Sequence, residues 1–306
     1  MVANIGLTSW GTSRLRNLMA FLSLSIRATF GRPTVILLHS VIEVVDPKGA
    51  GYELGPIAKK IAHWAVSGLK RAKIGVFSRE ISSVLTANYH ISAARCAPLP
   101  CDTPDGLAQA HLVPPAVVSF GFLSPYKGVE VLLEAWEIVQ GDAQLLIVGK
   151  RHALLSSDAN YQRYVRRVES SAERVKARFL GFVSDPELMP LLKQCSFGVL
   201  VYTSTTGASA SFTQLATAGV PVIASDLPEF RYIEEEGAGV ILTSLNPKDI
   251  ASKIQSLLGD LDQVSKLAEM QLSYASRHTW SDLCGWIEDA NQSGGSASRP
   301  AVDAAG

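Results

Sequence analysis

From residue 116 onward, short continuous apolar runs alternate with helical segments. No other feature of the chain constrains its fold as much. The apolar runs lie at 116–121 (AVVSFG), 144–149 (QLLIVG), 177–182 (ARFLGF), 197–202 (FGVLVY), 220–224 (VPVIA) and 239–243 (GVILT). Helical spacing fills the gaps, near 127–139, 155–174, 185–194, 209–218, 228–236 and 247–258. Two more helices follow at 261–275 and 280–290. Strands that are apolar at every position are buried on both faces. Alternating with helices, they imply an α/β fold with a doubly wound parallel sheet. Ser184 and Asp185 followed by Pro186 supply a helix start of the expected chemistry.

The front of the chain is less regular. Thr34–Val41 (TVILLHSV) and Lys73–Phe77 (KIGVF) read as strands, and Leu54–Lys70 and Arg79–Ala87 as helices. The opening segment to Gly31 reads as a helix. Five prolines, at 98, 100, 104, 114 and 115, mark a boundary. The expected organisation is a short first domain (1–100), a linker (101–115), a complete second domain (116–290) and a disordered Gly/Ser/Ala-rich tail (291–306).

The 306 residues carry 28 Lys/Arg and 28 Asp/Glu, a neutral balance that argues against a general nucleic-acid binder. The neutrality is uneven: residues 1–100 hold 12 basic and 4 acidic side chains, residues 101–306 hold 16 and 24. Two unlike domains fit that split. Cys96, Cys101, Cys195 and Cys284 form no Cys-x-x-Cys pair and have no histidine at zinc spacing, as expected of reduced thiols in a cytoplasmic chain. No apolar run reaches the ~18 residues of a membrane span. Leu18–Ile26, flanked by Arg14, Arg16 and Arg27, could be a signal peptide but lacks a clean small-residue cleavage site, and it fits two further readings. One is a basic amphipathic helix resting on the inner face of a membrane; the other is an ordinary helix packed on the sheet.

Ligands of open α/β sheets bind beyond the carboxyl ends of the strands, so the strand-to-helix turns are the places to search. In Gly121-Phe-Leu-Ser-Pro-Tyr-Lys127-Gly128, Lys127 stands where a helix begins. A cation there opposes the helix dipole unless an anion is shared with the free N–H groups, and phosphate is the natural candidate. A solvated surface lysine is the alternative. Thr205-Thr206-Gly207-Ala208-Ser209-Ala210-Ser211 leads into another helix. Such small residues either let the backbone approach a ligand or serve tight helix packing. Gln214 on that helix could bond ribose hydroxyls or stand exposed. His39, at the end of its strand, could bond a substrate or move a proton, or be structural. Glu43, Glu80 and Glu229 lie near turns, without a spacing that identifies acid/base work. No serine elbow and no metal-ligand spacing is present.

Four blocks in order resemble the nucleotide-binding domain of the GT-B glycosyltransferases, specifically the retaining family 4. They are VSFGFLSPYKGVEVLLEAW, QLLIVG, RFLGFVSDPELMPLLKQCSFGVLVYTS and ATAGVPVIASDLPEFRYI. The resemblance implies a nucleotide-sugar donor, with UDP- or GDP-sugars as candidates, and a glycan or lipid-linked acceptor. It implies that Lys127, Gly128, Gly207, Ala208 and Ser209 hold the diphosphate. Phe182, Val183 and Gln214 would meet the nucleoside, Thr206 the donor sugar, and His39 the reacting centre. It also implies retention without an obligatory metal or cofactor, because lysine and helix N–H groups offset the leaving diphosphate.

The chain departs from the family pattern in three places. Phe122 and Leu123 stand where many members carry an arginine. The family's two glutamates fall on Thr206 and Gln214, although some subgroups use a Ser/Thr-Gly-Ala-Ser turn instead. Only 33 residues precede Thr34, so the first Rossmann-like domain is expected to be truncated, either naturally or because the sequence continues upstream. The leading expectation is a glycosyltransferase of polysaccharide or glycoconjugate assembly. A non-catalytic nucleotide-sugar-binding protein, or a partner subunit of a complete transferase, is the alternative. A GT-B epimerase or phosphorylase ranks third, lacking the acid/base or cofactor residues those need.

Overall fold

A computed structural model describes residues 2–5, 19–20, 23–24, 26–28, 30, 34–39, 56–106, 114–151, 158–205 and 207–292. The first unit is a parallel sheet in the order β1-β2-β3-β4, formed by Val2–Ile5, Val35–Leu38, Lys73–Val76 and Arg95–Cys96. Helix α1 (Pro56–Ser67) joins β2 to β3, and α2 (Arg79–Tyr89) joins β3 to β4. Two of these strands, β1 and β4, were not expected from the sequence. Val2–Ile5 lies inside the segment read as helix and pairs with β2 residue by residue. A four-residue run has too little periodicity to separate strand from helix, and the pairing decides. Helical residues described between 19 and 28 place Leu24 in the first core, bury Ala28 and leave Met19 and Ile26 exposed. That segment packs on the sheet and keeps an apolar outer face.

The second unit is a six-stranded parallel sheet in the order β10-β9-β8-β5-β6-β7. Its strands are β5 Ala116–Phe120, β6 Gln144–Val148, β7 Arg178–Gly181, β8 Phe197–Leu200, β9 Val222–Ser225 and β10 Val240–Thr243. Its helices are α3 Val129–Trp136, α4 Ala159–Arg174, α5 Asp185–Lys193, α6 Ala210–Thr217, α7 Pro228–Glu235, α8 Pro247–Leu258 and α9 Leu261–Arg277. Successive strand residues enter opposite cores. Val118, Leu146 and Val148 pack with Phe212, Leu215 and Tyr274 on one face. Val117, Leu145 and Ile147 pack with Leu132, Trp136 and Ile254 on the other. Burial on both sides, at about 1.5–3 kcal/mol per large apolar side chain, is why these strands are apolar throughout.

Helix α10 (Trp280–Gln292) returns to the first sheet. Leu283 packs with Leu37 and Phe77, and the Trp286 ring lies so close to Gly75 that an added Cβ would stand 3.0 Å from it. The units also meet through Arg79, whose guanidinium pairs with Glu235 and Glu236 and lies 4.2 Å from the Tyr232 ring centroid. Among the described residues the four cysteines are free, and no helix is long and apolar enough to cross a membrane. The tail from 293 onward and residues 107–113 of the expected linker lie outside the described residues.

Candidate functional site

The chain leaves β5 for β6 and β7 on one side, then crosses back to β8, β9 and β10 on the other. The reversal makes the carboxyl ends of β5, β6 and β8 a topological switch point, where ligands of such sheets bind. Three turns converge there: 121–128, 149–151 and 201–209.

The first turn is set by glycines. Gly121 has φ +135°, and a Cβ on it would lie 2.6 Å from Ser211 Oγ and 3.4 Å from Lys127 Nζ. Gly128 has φ +67°, and its missing Cβ would overlap the Val201 carbonyl oxygen. Pro125–Lys127 forms one 3-10 turn, Gly128 reverses the backbone, and α3 starts at Val129. Lys127 is thereby folded inward rather than out to solvent. Its ammonium donates to the Tyr202 hydroxyl and to Ser211 Oγ at 3.3 Å, and lies 4.0 Å from the Tyr202 ring centroid. It forms no ion pair among the described residues. Burial lowers its pKa, and Tyr126 and the Glu229 charge offset the lost hydration only in part. An ammonium held among hydroxyls at a switch point is suited to an anion.

The turn after β8 carries the partners. Tyr202 is fully buried, its hydroxyl 2.7 Å from Ser209 Oγ, and burial pushes its pKa up to about 12. Ser209 caps α6 by accepting from the Phe212 N–H at 3.2 Å. Gly207 has φ +81°, and a Cβ on it would press on Ile81 (3.0 Å) and the His39 carbonyl (3.3 Å), so this turn abuts the first unit. Thr205 Oγ1 donates to Glu229 at 2.7 Å. Glu229 is 2% exposed in the first turn of α7, where the helix dipole favours a carboxylate. Glu80, at the start of α2, faces this group from the first unit. Burial and then the Glu229 charge raise its pKa.

His39 follows β2 and stacks on Phe77 at 4.6 Å between ring centroids. Burial lowers its pKa, so the imidazole is neutral near pH 7. It lines a cleft of about 380 Å³ with Leu99, Asp102, Ala208, Gln214 and Trp280. The neutral imidazole can exchange a proton or accept a hydrogen bond there.

The structure thus gathers Lys127, Gly128, Gly207 and Ser209 at one switch point, and sets Ala208, Gln214 and His39 in the cleft. Phe182 and Val183 follow β7 at the sheet edge, three strands from the β8 turn that leads to Gln214. Thr206 lies outside the described residues. Gly121, Tyr202, Ser211 and Glu229 belong to the site and were not singled out as ligands from the sequence. Ser211 lay within the small-residue turn; Tyr202 ends an apolar strand and reads there as core. Among the described residues, no three His, Cys, Asp or Glu side chains group to hold a metal ion.

Residues 114–260, which span the whole switch point, match the family described as glycosyl transferases group 1. The chain is a GT-B fold protein related to that group. Solved structures agree with this fold over most of the chain. Anabaena Alr3699/HepE, solved in complex with UDP-glucose, is 18% identical and superposes with a TM-score of 0.70 over 91% of this chain and 77% of its own. Sucrose-phosphate synthase from Thermosynechococcus elongatus is 16% identical, with a TM-score of 0.68 over 92% and 80%. WaaG, a glycosyltransferase involved in lipopolysaccharide biosynthesis, is 15% identical, with a TM-score of 0.61 over 94% and 85%. No curated protein matches the sequence. The GT-B architecture expected from the four sequence blocks is therefore found, with a first unit smaller than the second.

Proposed function

We propose that the chain is a glycosyltransferase that moves a sugar from a UDP- or GDP-sugar to a glycan or lipid-linked acceptor, with retention and without a metal. The observation that carries this reading is the Lys127 ammonium, buried among Tyr202 and Ser211 at the switch point with no ion pair among the described residues. The donor diphosphate supplies the missing charge, and Lys127 stabilises it as it leaves. The UDP-glucose complex of Anabaena HepE supports this donor class. Gly207, Ala208 and Ser209 present the start of α6 to the phosphates, and Thr206 meets the transferred sugar. Phe182 and Val183 flank the base, and Gln214 bonds the ribose. His39, neutral and facing the cleft, contacts the reacting sugar.

Transfer and hydrolysis assays with UDP-, GDP- and ADP-sugars test the reading. Activity with one donor series, lost in Lys127→Ala, is the expected outcome. Unchanged binding and turnover in that variant would overturn it. One observation favours a second reading, a non-catalytic donor-binding protein or partner subunit. Gln214 stands in the cleft where the family pattern has a glutamate. Donor binding without turnover across many acceptors would select it.

The protein is further proposed to work on the cytoplasmic side of a membrane. Met19, Ile26 and Phe30 are exposed beside Arg27 in the basic first unit, an arrangement suited to an anionic lipid surface. Flotation with liposomes containing anionic lipid is expected to carry the protein upward at low salt, and absence of flotation at any salt would refute the contact.

A further inference from the structure

Two large aromatic side chains stand exposed at the ends of the strands on either side of β6: Phe122 after β5 (49% exposed) and Phe182 after β7 (64%). Between them comes Lys150, after β6. The placement is built by the backbone. Gly121 N–H donates to Val148 and Leu123 N–H to Lys150, both at 3.0 Å, so 121–123 runs alongside 149–151 and sets Phe122 beside Lys150. Gly149 N–H donates to Gly181 at 2.8 Å, tying β7's end to the same ledge. The Lys150 ammonium lies 5.6 Å from the Phe122 ring centroid and 5.0 Å from that of Phe182.

Nearby cations are matched by carboxylates: Arg151 with Glu169 at 2.6 Å, Arg167 with Glu130 at 2.9 Å. Lys150 has no ion pair among the described residues. Its partners are two ring faces, which hold a cation without cancelling its charge. Phe122 also lines the small pocket that contains Lys127, and a Cβ on Gly121 beside it would lie 3.4 Å from Lys127 Nζ, so both cations stand along the same stretch of backbone. Flat aromatic faces with an uncancelled charge, continuous with a phosphate-suited ammonium, match a ligand with a planar apolar end and an anionic end. A nucleoside diphosphate has that form.

We propose that Lys150 is a second phosphate-binding cation, holding the phosphate next to the nucleoside, while Phe122 and Phe182 pack against the base and ribose. This rests on the donor reading above, and it assigns the charge that an arginine in the stretch held by Phe122 and Leu123 would otherwise bring. Binding requires no covalent step. Lys150 swings from the rings to the phosphate, and the ring faces it leaves are covered by the base.

Calorimetry and competition with uridine, UMP and UDP, and in parallel with the guanosine and adenosine series, test it. The expected result is that Lys150→Ala weakens UMP and UDP at least tenfold and uridine less than twofold. Lys150→Arg stays within threefold of wild type, and thermal stability is unchanged. Equal weakening of uridine and UMP would overturn the phosphate role. Unchanged UDP affinity in Lys150→Ala, with loss in Lys127→Ala, would overturn the proposal and leave the donor reading standing. Failure of the wild-type protein to bind any nucleotide would overturn both.

Discussion

The Lys127 ammonium hydrogen-bonds the Tyr202 hydroxyl inside the sheet's switch point, and the same hydroxyl reaches Ser209, the N-cap of α6. A charge is thereby connected to the helix end on which an anion would rest. Holding that charge out of water is costly without an anion. Lys127→Met should therefore leave thermal stability equal or raise it, while donor affinity falls. Loss of one charge-assisted bond to phosphate, about 1.5–3 kcal/mol, corresponds to roughly ten- to hundredfold. Parallel thermal denaturation and titration with UDP-sugar check the opposed directions.

The same burial makes binding sensitive to alkali. Lys127 has a lowered pKa in the free protein, and the donor needs its charged form. As pH rises through that lowered value, the ammonium loses its proton and affinity falls. The fall comes at a lower pH than for an ordinary lysine. Arginine keeps its charge to a pH of about 12 or beyond, so Lys127→Arg should flatten the pH profile even if affinity is reduced. Titrations at stepped pH from 7 upward would show it.

Much of this fold was legible because its strands are buried on both faces. Apolar runs such as QLLIVG need a parallel sheet between two helix layers and fit little else. Val2–Ile5 and Arg95–Cys96 were not legible, since four and two residues owe their state to a neighbouring strand. Lys127 could be found because a cation at a helix start is unfavourable without a reason. Tyr202 could not, because a tyrosine ending FGVLVY is indistinguishable from core until its hydroxyl partners are known. Glu229 was masked in the same way: a glutamate in a first helical turn satisfies the dipole, and only its burial beside Thr205 marks it out.

The two glycines of the 121–128 turn should separate binding from folding. Alanine at 128 places its Cβ against a backbone oxygen at 1.8 Å and forces φ +67° on a residue that disfavours it. Neither can relax cheaply, and the loss of stability should exceed about 2 kcal/mol. Alanine at 121 meets the movable Ser211 hydroxyl first. That hydroxyl can turn away, so Gly121→Ala keeps the backbone strain of φ +135° but avoids a collision with backbone, and should fold with a smaller loss and bind donor poorly. Denaturant titration of both variants, with donor binding of the folded one, tests the contrast. Equal destabilisation would refute it.

Glu80 and Glu229 come from the two units and meet at Thr205. Glu80 Oε2 is buried and has no hydrogen-bond partner among the described residues. Its pKa is raised by burial and then by the Glu229 charge, so folding favours the protonated acid. That contribution is full below the ordinary carboxylate pKa of 4.5 and is lost as pH rises through the raised value. At pH 7 the ionised Glu80 therefore opposes the contact between the units. Glu80→Gln removes that charge while keeping the shape. Its Tm should exceed that of the wild type at pH 7, and the difference should vanish near pH 4. A variant equally or less stable at pH 7 would show that Glu80 is solvated there, with no strain to relieve.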